Sequence, residues 1–114
     1  MKSSYVYLLV IQSIFCGWVI AAPVDSARAE RIAERSLCLG CHKIEGKSVG
    51  PSFQLIAKRY QQNPKAIELL TGKVKNGGSG NWGVVAMPAN AKNIRDEDLQ
   101  IVLQWILAGA PKKN

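Results

Sequence analysis

Cys38-Leu39-Gly40-Cys41-His42 gathers the most reactive side chains of this sequence: two thiols three residues apart, with an imidazole directly after the second. At that spacing the thiols can add to the two vinyl groups of a haem as thioethers, which leaves the histidine beneath the iron as an axial ligand. Rival chemistries fit less well. A structural zinc takes four ligands, and beyond residue 21 the chain offers only these two cysteines and one histidine. A thioredoxin-like redox pair would lie in a βαβ setting, and no strand pattern flanks this one. A disulfide within so short a segment would be strained and would leave His42 without a role.

The second axial position is read by elimination. His42 is the only histidine, so two histidines from one chain cannot hold the iron. Met87 is the only methionine beyond residue 21. A methionine is more often core filler than a ligand, but this one lies in a polar, glycine-rich stretch where filler is less expected. His/Met ligation closes both axial positions and raises the reduction potential, which suits electron transfer. The residues leave two alternatives open, ligation by a lysine or a vacant sixth position. The latter would make the chain a ligand-binding or sensor haem protein.

The elements that must carry these residues read as helices. Asp25 or Ser26 caps a first helix, with Ala29, Ile32, Ala33 and Leu37 at near-helical spacing. Residues 43–51 read as a loop. Ser52 caps a short helix in which Phe53, Ile56, Ala57 and Tyr60 fall at i, i+3, i+4 and i+7. Asn63-Pro64 pairs an N-cap with a first-turn proline and predicts a third helix through about Lys75, with Ile67, Leu70 and Val74 inward. Residues 76–93 are rich in Gly, Asn and Pro and predict an irregular loop.

Asp96-Glu97-Asp98 places three acids in the first turn of a last helix, where the helix dipole favours them. Leu99, Val102, Leu103, Ile106 and Leu107 form its apolar stripe, and Gly109 with Pro111 ends it. No stretch alternates like a strand, so the expected fold is all-α and of one domain. Gly78-Ser-Gly-Asn-Trp-Gly83 matches the dinucleotide fingerprint G-x-G-x-x-G. That pattern needs a strand before it and a helix after it, and neither is visible, so the match is accidental.

At the N-terminus, Lys2 precedes an apolar run from Tyr5 to Ile20, closed by Ala21-Ala22-Pro23. This pattern predicts a secretory signal peptide over residues 1–21, cut after Ala21, with 22–114 as the functional domain. The alternative is an uncleaved anchor, since the run is near bilayer-spanning length, though Gln12 and Ser13 weaken it. Cys16 would leave with the signal segment. The residues before it, Ser13-Ile-Phe, fit a lipoprotein signal poorly. Lys and Arg number 15 against 8 Asp and Glu, in a chain of 114 residues with formal charge +7. That surplus suits an anionic partner such as an acidic protein face, a lipid headgroup or a nucleic acid. An exported chain would rarely meet a nucleic acid, so none is expected. No general base, second histidine or second metal motif suggests an enzyme.

From Cys38 to Leu107 the chain resembles a short bacterial class I cytochrome c, of the kind that donates electrons to periplasmic terminal reductases and oxidases. The resemblance rests on Cys38-Leu-Gly-Cys-His42, Val49-Gly-Pro-Ser52, Lys75-Asn-Gly-Gly-Ser-Gly-Asn-Trp-Gly83, Met87-Pro-Ala-Asn90 and Leu103-Gln-Trp-Ile-Leu107, in that order. It implies four to five short helices wrapped around one haem c, bound covalently through Cys38 and Cys41 with His42 and Met87 as iron ligands. It further implies that the Pro51 carbonyl accepts a hydrogen bond from His42 and that the Trp82 indole points at a haem propionate. Asn90 would lie near the Met87 sulfur and Lys73 near a propionate. The implied partners are redox proteins: a donor such as a quinol-oxidising complex, and an acceptor such as a terminal oxidase or reductase. The implied location is the periplasm, with a membrane tether only if the N-terminal segment is uncleaved.

The sequence departs from the family pattern at two places. Ala33 stands where an aromatic usually meets the last helix, so Ile32, Leu37 and Trp105 are expected to repack that crossing. Val84 and Ala86, rather than prolines, precede Met87, which leaves a less restricted loop and an iron–sulfur bond that is easier to break. Lys43, Lys47, Lys58, Lys73, Lys75 and Lys92 either ring the haem edge or are scattered for solubility.

Overall fold

Each helix begins where the sequence supplies a way to satisfy its first free N–H groups or its dipole. In the computed structural model, which describes residues 22–112, the Asp25 carboxylate accepts the Arg28 N–H at 2.9 Å and opens α1, Ser26–Arg35. Ser52 Oγ accepts the Leu55 N–H at 3.2 Å and opens α2, Phe53–Tyr60. α3 spans Ala66–Asn76 and α4 spans Asp96–Leu107, the latter with its three acids in the first turn. The expected signal segment 1–21, with Cys16, lies outside the described residues. Among the described residues there is no strand, only an isolated antiparallel bridge between Gly78 and Met87.

α4 is the central element and packs against α1, α2 and α3. Its Leu99, Val102, Leu103, Trp105 and Ile106 are buried, and α1 supplies Ala29, Ile32 and Ala33 to the same core. Trp105 is fully buried, and its indole N–H donates to the Pro111 carbonyl at 3.0 Å, so the wide ring is packed without an orphaned donor. The small Ala33 and the large Trp105 share this core, where the family pattern would place an aromatic on α1.

Two expectations about local structure are corrected. Leu37 is not on the apolar face of α1. The helix ends at Arg35 with Ser36 as its cap, and Leu37 takes a left-handed conformation with φ 63°, which turns the chain into the Cys38 segment and leaves its side chain 73% exposed. The third helix begins at Ala66 rather than beside Pro64. The Asn63 side chain accepts the Lys65 N–H at 2.9 Å and its carbonyl accepts the Ala66 N–H at 2.9 Å. Those two bonds close a turn around Pro64, and the helix starts only after it.

α4 is tied to α1 by a small ionic cluster. Asp98, whose side chain is 6% exposed, lies 2.8 Å from the Arg35 guanidinium and 2.9 Å from that of Arg95. The hydrogen bond from Arg95 holds the Asp98 carboxyl below its ordinary value of 3.8 against the opposing effect of desolvation, with the charges of both arginines adding to it.

Candidate functional site

The segment between α1 and α2 places three reactive side chains together because it coils tightly. Cys38–Gly40 forms one 3₁₀ turn, and the carbonyl of Cys38 accepts the N–H groups of both Cys41 and His42, at 3.3 and 3.0 Å. Cys38, Cys41 and His42 then line one cavity of about 650 Å³, a size within the roughly 300–1,000 Å³ usual for cofactor sites. Both cysteines are free thiols. Burial pushes the Cys38 thiol above its ordinary value of 9.0.

His42 is held on three sides. Its Nδ1–H donates to the Pro51 carbonyl at 2.7 Å. A carbonyl can only accept, so the proton sits on Nδ1 and the lone pair on Nε2 is left available to a metal. Phe53 stacks on the imidazole with ring centroids 5.6 Å apart and planes at 19°, and meets Trp105 edge-on at 5.5 Å. Gly50 closes the third side: a Cβ there would fall 2.7 Å from Cε1 and 2.9 Å from Nδ1 of His42. Only glycine leaves room for the ring.

Met87 reaches the same cavity from the loop after α3. Gly78 and Met87 exchange two backbone hydrogen bonds, at 2.9 and 3.0 Å, which fixes the start of that loop against its end. Gly77 makes the approach possible, since a Cβ on it would strike the Met87 carbonyl and come within 2.8 Å of the Ala89 nitrogen, and its φ is +69°. The remainder of the cavity wall is mostly apolar, with Leu70, Val74, Val102 and Leu103.

Trp82 and Lys73 also line the cavity, and Pro51 does so beside His42. Asn90 is not among the lining residues. Its side-chain N–H donates to the Pro88 carbonyl at 2.7 Å, and its backbone N–H bonds the Val74 carbonyl at 2.9 Å. Of the six lysines considered for a ring, Lys47 and Lys73 border the cavity, while Lys75 pairs with Asp96 at 2.7 Å. Three residues have roles at the site that their positions in the sequence did not reveal. Phe53 read only as helix core and Gly50 as loop glycine. Arg59 was not singled out by the sequence, yet its guanidinium carbon lies 4.7 Å from the Trp82 ring centroid.

These residues fit a covalently attached haem: two free thiols beside an imidazole of fixed tautomer, in an apolar cavity that a methionine also reaches. Among the described residues no cluster of three or more His, Cys, Asp or Glu side chains could hold a metal ion by itself.

The Cytochrome c family matches residues 26–110. Cytochrome c-552 of Hydrogenobacter thermophilus is 40% identical over 79 residues, which cover 69% of this chain and 79% of that protein. The crystal structure of wild-type Nitrosomonas europaea cytochrome c552 is 38% identical and superposes with a TM-score of 0.66, covering 70% of this chain and 98% of that one. The class 1 cytochrome MtoD from Sideroxydans lithotrophicus ES-1 matches with a TM-score of 0.68 over 78% of this chain and 100% of that one. At 22% identity its likeness speaks for the fold alone.

Proposed function

The chain belongs to the cytochrome c family, and from that premise we propose that His42 and Met87 are the axial ligands of its haem and that it works in the periplasm. It is a class I fold with one covalently bound c-type haem, and it carries electrons rather than turning over a substrate. Cytochromes c act with redox partner proteins. The haem supplies the redox chemistry, gaining and losing one electron at its iron.

The observation that carries the ligand assignment is the Nδ1–H bond from His42 to the Pro51 carbonyl, which directs Nε2 to be the donor nitrogen. Cys38 and Cys41 provide the two thioether links. Phe53 and Gly50 hold the imidazole plane, and the apolar wall keeps water from the iron. Met87, the only described methionine, is the sixth ligand. Trp82 and Lys73 would meet the propionates, since both residues border the cavity and carry an indole N–H and an ammonium donor. Asn90 keeps one amide hydrogen for the Met87 sulfur while the other bonds Pro88.

Residues 1–21 direct export and are then cleaved off, a reading supported by their charged start, apolar middle and Ala21-Ala22 exit. The freed protein passes electrons from a quinol-oxidising complex to a terminal oxidase or reductase, and a tether to the membrane applies only if those residues stay. Fractionation with intact-mass measurement tests the location. The expected product is a periplasmic chain beginning at Ala22 and carrying one haem. A haem-bearing chain retaining residues 1–21 in the membrane fraction would contradict the freed carrier.

A further inference from the structure

α2 braces the two segments that the axial ligands come from. Its N-terminal end follows Pro51, whose carbonyl holds His42, and Phe53 in its first turn stacks on the same ring. Its last turn carries Arg59, which reaches the other segment. The Arg59 guanidinium donates to the Asn81 carbonyl at 2.6 Å and lies over the Trp82 ring, its carbon 4.7 Å from the centroid. The same guanidinium is 5.7 Å from the Tyr60 ring.

The loop needs such a contact. Its ends are joined by the Gly78–Met87 bridge, but residues 79–86 form only one other backbone bond, Gly80 to Gly83, and that lies within the loop. Among the described residues no other hydrogen bond ties 79–86 to the rest of the chain. No proline stiffens this stretch, and Val84 and Val85 at its tip are 93% and 65% exposed. A planar cation that both stacks on an aromatic face and donates along its own plane is suited to pin a loop, and a lysine does only part of this.

We infer that Arg59 is a positioning residue that latches the Asn81-Trp82 stretch of the Met87 loop to α2, and so protects Met87 from displacement at the iron. The inference rests on the Met87 ligation proposed above. Arg59 acts on the ligand through the loop and touches neither the iron nor the sulfur. Because the latch is solvent-exposed, its effect is moderate and screened by salt.

Imidazole titration of the oxidised haem-loaded protein tests this, read by loss of the weak far-red methionine-to-iron band. Arg59→Ala is expected to bind imidazole roughly 3- to 10-fold more tightly than wild type, the size expected from losing an exposed cation–π contact and one charged hydrogen bond. Arg59→Lys should fall between them. Lys58→Ala, which removes the same charge one residue away, should match wild type. Equal imidazole affinity in Arg59→Ala and wild type would overturn the latch, as would an equal shift in Lys58→Ala. A thermal midpoint lowered in Arg59→Ala without any change in imidazole affinity would also overturn it, by showing a merely structural role. A wild-type protein with no far-red band would overturn the Met87 ligation, and the latch with it.

Discussion

Replacing Gly50 with alanine should disturb the haem ligand itself. A Cβ at this position falls 2.7 Å from Cε1, 2.9 Å from Nδ1 and 3.3 Å from Nε2 of His42. Carbon atoms in contact sit about 3.5–4.0 Å apart, so the imidazole must retreat by about 1 Å. That retreat stretches the 2.7 Å bond from Nδ1 to the Pro51 carbonyl beyond the roughly 3.2 Å at which such bonds hold. Overpacking costs about 1–3 kcal/mol and the lost hydrogen bond about 1 kcal/mol. For a domain of this size the sum, about 2–4 kcal/mol, lowers Tm by roughly 8–32 °C.

The same substitution should move the reduction potential. Donation to Pro51 makes the imidazole a stronger electron donor to a bound iron, which favours the oxidised state. Its loss therefore raises the potential, and about 1 kcal/mol corresponds to about 40 mV for one electron. Thermal melts and spectroelectrochemistry of the haem-loaded protein read both effects. Gly40→Ala, where a Cβ meets nothing within 4 Å, is the control and should change neither. A Gly50→Ala protein with the wild-type Tm and potential would refute the steric argument.

Two further predictions concern what supports the site. Ser52→Ala removes the cap of α2 and should cost about 1 kcal/mol, seen as a lower Tm, because the Leu55 N–H loses its partner. Asp98→Asn should reduce stability at neutral pH and flatten its dependence on acid. The folded carboxyl sits below its ordinary value of 3.8, so its contribution is present above that pH and is lost as pH falls through the folded value. Acid titrations of unfolding would check the sign, and an Asp98→Asn protein as acid-sensitive as wild type would contradict it.

The chemistry was more legible in the sequence than its support. Cys38, Cys41 and His42 are adjacent in the chain, so their spacing alone carries the haem reading. The all-α fold followed from apolar periodicity in α2 and α4 and from side-chain caps at Asp25 and Ser52. What escaped was set by backbone turns and by contacts distant in sequence. Leu37 matched the period of α1, but the chain must reverse before Cys38, and a left-handed residue there ends the helix. Asn63-Pro64 has the composition of a helix start, yet its hydrogen bonds close a turn instead. Gly50 and Phe53 matter because the fold brings them onto His42, and Arg59 because its side chain reaches Asn81 and Trp82, 22 and 23 positions further along the chain. Periodicity reports which face of a helix is buried, not what lies opposite it.

The optical spectrum of the purified protein, oxidised and then reduced with dithionite, tests the central claim most directly. A covalently bound haem with a sharp low-spin reduced spectrum is predicted, together with a weak far-red band in the oxidised form that disappears in Met87→Ala. A high-spin spectrum that shifts on adding carbon monoxide to the reduced wild-type protein would contradict the His42/Met87 electron carrier.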